Sequence, residues 1–282
     1  MVGQDAPASF EGNMNKTIMV VSDALRDDTA ASQMGYLEHL VETKRASRYT
    51  VIAELPTMSR PLYETLHTGV DVSEHGITNN RMVRRSNLPN VFEEAVKHGR
   101  TTAAAAYYWF SELYVRCPYD YVVDREQDDP KAAIQHGRYY TEDATPDREV
   151  FASGAALVSK FEPDYVLVHP MGMDYLGETY GSDSSEYRNN AIFQDMVLAD
   201  LIPRWMGHGY TVIVTADHGI NKDRLHGGTT PDVRHVPLYV IPPQAVGLGD
   251  TRTQISQLRL APTLCHMLEI PIPPTMRQPS LT

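Results

Sequence analysis

The sequence predicts an α/β fold: a three-layer α/β/α sandwich around a mixed, mainly parallel central sheet. Three observations predict it. Short apolar, β-branched runs recur along the chain, as buried parallel strands do. Segments with helical spacing of apolar residues separate them. Potential ligand side chains gather just past the strand ends, where open parallel sheets bind their ligands.

The strands are read at residues 17–21, 49–53, 101–106, 165–168, 211–215 and 236–241. Between them, residues 34–43 place Leu37, Leu40 and Val41 at helical spacing. Asn90 stands as a cap before Val91, Phe92 and Val96 in a helix over 90–98. Longer helices are expected over 148–161 and 184–206. The second brings Ile192, Met196, Ala199 and Leu201 near one face, and Pro203 is expected to kink or end it. Strands alternating with helices imply βαβ units covered on both faces. Residues 111–146 are rich in Tyr, Asp, Glu and Gln and weakly periodic, and read as an irregular excursion over one end of the sheet. The tail after Pro242 carries Pro271, Pro273 and Pro274, which suits an extended finish. Residues 1–15 read as a flexible segment and 16–282 as one domain.

The chain has 282 residues and a formal net charge of −11. That balance argues against a nucleic-acid polymer or an anionic membrane as partner, since both select for Lys/Arg excess. Two cysteines cannot build a disulfide framework or a cysteine metal site. No run approaches the roughly 18 apolar residues of a transmembrane helix, and residues 1–15 lack the basic start and apolar stretch of a signal peptide. The expectation is a soluble cytoplasmic protein.

The strand ends carry the candidate chemistry. The first runs into Ser22-Asp23, and the fourth into a segment with His169, Asp174 and Glu178. The fifth runs into Asp217-His218-Gly219, with His226 close behind. One Asp after a strand is ordinarily a helix cap; carboxylates and imidazoles from several strand ends together suit Zn²⁺ or Mn²⁺. Ser59 lies at or just before a helix start, with Pro61 in the first turn and Gly69 at the end. A helix start favours an anion, and beside a metal a serine hydroxyl becomes a nucleophile. Taken alone, Ser59 reads as an N-cap.

Further motifs carry a resemblance. Pro56-Thr57-Met58-Ser59-Arg60-Pro61, then Thr68-Gly69, Glu74-His75-Gly76-Ile77 and Asn80, resembles the type I phosphodiesterase/nucleotide pyrophosphatase branch of the alkaline phosphatase superfamily. The likeness continues at Ala105-Ala106-Tyr107-Tyr108-Trp109, at Thr215-Ala216-Asp217-His218-Gly219, at His226-Gly227 and at Leu260-Ala261-Pro262-Thr263. The resemblance implies an alkaline phosphatase-like fold and two divalent ions, Zn²⁺ first and Mn²⁺ as the alternative. It implies Ser59 as nucleophile and Asn80 as a donor to phosphoryl oxygens. Asp23, Ser59, Asp217 and His218 would hold one ion, and Asp174 and His226 the other. Where the family has Asp-x-x-Gly-His, this chain has Asp174-Tyr175-Leu176-Gly177-Glu178, so a carboxylate replaces an imidazole. Where the family commonly has Asp-Gly, this chain has Asp23-Ala24.

The activity so implied is hydrolysis of a phosphodiester or pyrophosphate bond through a phosphoryl-serine intermediate, on a small phosphorylated substrate such as a nucleotide. The alternatives are a phosphomonoesterase, a phosphonate hydrolase, a phosphotransferase, or a non-catalytic ligand-binding relative. Tyr107, Tyr108 and Trp109 read as core or rim, or as a stacking platform for a leaving group. His75 reads as a turn hydrogen bonder, and His169 as a lining or buried structural group. Arg60, Arg84 and Arg85 are candidates for bidentate contact with a phosphate, though Arg84-Arg85 reads first as a solvated surface pair.

Overall fold

The computed structural model describes residues 16–244 and 246–281. The segment 1–15, expected to be flexible, lies outside the described residues. The chain opens with β1 (Thr17–Val21), α1 (Asp27–Gln33), α2 (Gly35–Glu42), β2 (Ser47–Ile52) and α3 (Ser59–Thr68). It continues through α4 (Val72–His75), α5 (Val91–Lys97), β3 (Thr102–Tyr107), α6 (Trp109–Tyr114), β4 (Glu126–Asp128) and β5 (His136–Tyr140). Then follow α7 (Asp147–Phe161), β6 (Tyr165–Val168), α8 (Gly172–Tyr180), α9 (Ser185–Gly207) and β7 (Thr211–Thr215). The last elements are α10 (Pro231–Arg234), β8 (His235–Ile241), β9 (Gly249–Ser256) and α11 (Leu260–Met267).

The nine strands form one sheet in the order β4-β5-β3-β6-β1-β7-β8-β2-β9. Only β4 and β8 oppose the common direction, so the sheet is mixed and mainly parallel as expected. β1, β6 and β7 lie at its centre and are buried along their whole length. Each buried Val or Ile there contributes about 1.5–3 kcal/mol relative to exposure. Helices α1, α2, α7, α8 and α9 pack together as one layer, and α3, α5, α6 and α11 as the other. The ends of β1, β2, β3, β6 and β7 therefore share one edge of the sandwich.

Three expectations need correction. Residues 111–146 are not irregular throughout: β4 and β5 extend the sheet at its edge. Their sequences, EQD and HGRYY, carry no apolar run because they lie at the margin of the sheet, β4 pairing on one side alone, and most of their residues are partly or fully exposed. The tail is not simply extended either, since β9 pairs with β2 and α11 packs on α3 and α5. Pro262 is accommodated in the first turn of α11, where no intrahelical N–H is required. Finally, of the two outcomes expected at Pro203, an end is excluded, since α9 continues through it to Gly207.

Candidate metal centre

Ser59 is the first residue of α3, not its N-cap; that position is Met58. Of the first-turn donors, Pro61 has no N–H, Leu62 N–H bonds Met58 O, and Arg60 N–H donates to Asn80 Oδ1 at 3.0 Å. The Ser59 N–H is left without a partner among the described residues. The same bond fixes the Asn80 amide, with its NH₂ end as the remaining donor. Helix α3 ends at Gly69 with φ 63°, the left-handed stop expected of glycine.

Asp23 sits directly beyond β1 and is fully buried. Its Oδ2 accepts from the Tyr63 hydroxyl and from His169 Nε2, the latter at 3.1 Å. Its Oδ1 is buried with no partner. Asp217, just beyond β7, spends Oδ1 on the Ala24 N–H at 3.2 Å, and its Oδ2 is also unpartnered. Ala24 is held at φ 60°, a left-handed conformation that favours glycine, which explains the family's Asp-Gly. The Tyr187 hydroxyl clamps it by donating to Ala24 O at 2.6 Å.

Two histidines face these oxygens. His218 Nδ1 donates to Gly219 O at 3.1 Å, so its Nε2 presents a lone pair. That atom lies 3.2 Å from Ser59 Oγ, 3.3 Å from Asp217 Oδ2 and 3.6 Å from Asp23 Oδ1. His226 Nδ1 donates to Thr57 O at 2.9 Å, which turns its Nε2 toward Glu178 Oε1 at 3.3 Å and Asp174 Oδ1 at 3.9 Å. The two rings stack at 4.3 Å. Asp174 and Glu178 come from successive turns of α8, one face of a single helix. Gly177 lets that helix approach closely, because a Cβ there would meet Ile220 Cγ2 at 2.6 Å. The start of α8 is tied down where buried Asp147 accepts the Gly172 N–H at 2.9 Å.

Electrostatics make the arrangement costly without a cation. Burial, then repulsion from its neighbours, raises Asp23 and Asp174 well above the usual carboxylate range. Burial also raises Asp217, and it pushes His218 well below the usual imidazole range. Burial works against charge on His226 as well, yet the Glu178 hydrogen bond and Asp174 push it up to about 9. No Lys or Arg forms an ion pair with Asp23, Asp174 or Asp217 among the described residues. Buried carboxylate oxygens gathered around the His218 lone pair and the His226 ring, which would give up its proton to a metal, fit divalent cations. Asp23, Asp217 and His218 form one group of close ligand atoms, and Asp174, His218 and His226 another. The structure thus brings all eight sequence-read site residues to one edge of the sheet.

Several residues at the site were read differently or not at all. Tyr63 was missed, although it lies four residues after Ser59 on the same helix and so on the same face. His169 does line the site, through Asp23, and Tyr140 from the 111–146 segment anchors it by donating to His169 O at 2.6 Å. His75 accepts the Ile77 N–H and donates to Thr65 Oγ1, so both ring nitrogens serve the turn. Arg60 is not free for bidentate phosphate contact. Its Nη2 pairs with Glu112 at 2.7 Å, its Nε donates to Asn80 O, and its guanidinium lies over Trp109. Arg84 and Arg85 bond to backbone carbonyls of His75 and Tyr114.

The model of type I phosphodiesterases/nucleotide pyrophosphatases matches residues 17–224. The chain belongs to this family. The match stops two positions short of His226. Among curated proteins, this family member is 23% identical to GPI ethanolamine phosphate transferase 2 of Candida albicans, over 92% of this chain and 30% of that protein. It is 24% identical to the catalytic subunit of the human GPI ethanolamine phosphate transferase 2, over 92% of this chain and 27% of the relative. The chain thus spans less than a third of the length of these relatives. Among solved structures, murine ectonucleotide pyrophosphatase/phosphodiesterase 5 superposes with a TM-score of 0.72 at 13% identity, covering 92% of this chain and 96% of that one. The alkaline phosphatase PafA gives a TM-score of 0.70 at 12% identity, covering 95% and 98%. The architecture is alkaline phosphatase-like. No helix among the described residues is long and apolar enough to cross a membrane.

Proposed function

We propose that the chain transfers a phosphoryl group bearing one organic substituent, with Ser59 as nucleophile, two divalent cations as cofactors and a hydroxyl compound as acceptor. The observation that carries this reading is the convergence of Ser59 Oγ and the unpartnered oxygens of Asp23 and Asp217 on His218 Nε2. Asp23, Asp217, His218 and Ser59 would hold one cation; Asp174, His226 and Glu178 would hold the other. Bound there, divalent cations lower the pKa of a coordinated hydroxyl and neutralise phosphoryl oxygens.

The chain's own groups do the rest. Ser59, its hydroxyl proton first lost to solvent, attacks phosphorus through Oγ in line with the leaving oxygen. The Oγ–P bond forms as the P–O bond to the leaving group breaks, and the departing alkoxide takes a proton from solvent. The Asn80 NH₂ and the Ser59 N–H are the donors available to the non-bridging oxygens. The acceptor hydroxyl then attacks the phosphoseryl ester, loses its proton, and releases Ser59 Oγ. Tyr63 and His169 hold Asp23 so that one oxygen alone faces the cation.

The curated relatives are named as ethanolamine phosphate transferases, which supports a hydroxyl acceptor over water and makes a phosphoethanolamine ester the first donor to try. Hydrolysis is the second reading. It is supported by the family's description and by a solved structure of an inactive form of the murine phosphodiesterase in complex with AMP. The test is release of 4-nitrophenol from mono- and diester phosphates with Zn²⁺ or Mn²⁺, with and without an added alcohol. Products that carry the alcohol, and a mass adduct on Ser59, are expected. Exclusive hydrolysis at high alcohol would select the second reading. No turnover of any ester with ions bound would reject both.

A further inference from the structure

The two candidate cation pockets are built differently. In the inner one, Asp23, Asp217 and His218 are fully buried. Each is braced from behind, Asp23 by Tyr63 and His169, Asp217 by the Ala24 N–H, and His218 by Gly219 O. The outer pocket opens toward solvent. Asp174 is 8% exposed, and its Oδ1 is buried with no hydrogen-bond partner. His226 Nε2 faces that oxygen at 3.9 Å. His218, shared with the inner pocket, completes that close group, and a further group within reach is Glu178, whose side chain is 53% exposed and whose Oε1 is 3.3 Å from the same His226 nitrogen.

We infer that Glu178 completes the outer pocket as an oxygen donor and makes it a site for a hard, readily exchanged divalent cation, unlike the tightly enclosed inner one; this rests on the two-cation reading above. The donor chemistry argues for hardness. Asp174, Glu178 and His226 give two carboxylates and one imidazole, and oxygen-rich sets narrow the advantage that Zn²⁺ holds over Mn²⁺. Exposure argues for exchange. A carboxylate half in water can swing off its ion without any opening of the core, whereas Asp23 and Asp217 cannot move without breaking buried hydrogen bonds. The backbone argues for fixed geometry. Helix α8 is held at Gly172 by Asp147 and at Gly177 by close contact with Ile220, so the helix is fixed while the half-exposed Glu178 side chain can swing.

The test uses the full chain, with Zn²⁺ and Mn²⁺ as the probes. Loaded with Zn²⁺ and then given EDTA, the protein should lose one ion at least about tenfold faster than the other, counted by native mass spectrometry. Mn²⁺ added in competition should replace that ion, read by its paramagnetic resonance. Glu178→His should slow the loss and lower the Mn²⁺-to-Zn²⁺ affinity ratio of that site by about tenfold or more. The near-isosteric Glu178→Gln, which spares the fold, should weaken the same site and leave the inner ion in place. Loss of both ions at one rate, or an unchanged affinity ratio in Glu178→His, would overturn the inference and leave the two-cation reading standing. Binding of only one ion by the unaltered chain would overturn both.

Discussion

The centre of the sheet and its β4–β5 edge solve opposite problems. At the centre, β1 and β7 deliver Asp23, Asp217 and His218 into full burial with oxygens left unpaired. At the edge, charges are half-exposed and paired within the strands: Asp128 meets Arg138 at 3.0 Å and His136 at 2.8 Å. A fold that buries unpaired carboxylates gives up stability there and regains it when a cation binds. The contrast teaches where function lies: in the region whose polar groups are worst satisfied by the protein itself. Tyr140 is a strut between the two, running from β5 to His169.

The comparison breaks most sharply at Ser59. Ser59→Ala should keep the fold and lose about four orders of magnitude or more in turnover, measured on the best ester. Asp217→Asn should cost metal and thermal stability together, because it removes a ligand oxygen's charge in full burial. Elemental analysis and thermal unfolding with and without Zn²⁺ check it, and unchanged metal content would remove Asp217 from the centre. Asn80→Ala should lower kcat by about 10²–10³ with little change in KM. A raised KM at constant kcat would instead make Asn80 a binding group.

Smaller effects sharpen the contrast. Ala24→Gly should relieve left-handed strain worth about 1–2 kcal/mol, partly offset by the entropy of glycine. A net gain of up to about 1 kcal/mol in thermal unfolding is expected, without change in metal content. At the edge, Arg138→Ala should cost no more than about 1 kcal/mol and leave turnover untouched. A large loss of activity there would mean that the edge reaches the site by more than Tyr140.

The central strands were legible because they are short, apolar and flanked by ligand-type residues. Three of them, β1, β6 and β7, fall on the expected bounds. The edge strands were not, because a strand with one uncovered side needs no apolar run, and EQD has none. The ligand types were legible at the strand ends. The bracing groups were not, because Tyr63, Tyr140 and Gln257 act across 29 to 40 positions of chain, and two of them through a backbone carbonyl: Tyr140 donates to His169 O and Gln257 to Asp217 O, the latter at 2.6 Å.

The sequence by itself determined the alternation of strands and helices, the list of ligand-bearing strand ends and the place of Ser59 at a helix start. Each of these depends on residues a few positions apart, so local pattern suffices. Only the tertiary structure decided which lone pairs face one another. The ring orientations of His218 and His226 are set by carbonyls of Gly219 and Thr57, and the free oxygen of Asp23 is chosen by Tyr63 and His169. Orientation of a side chain's last atoms is settled by whatever packs behind it, and that neighbour arrives from elsewhere in the chain.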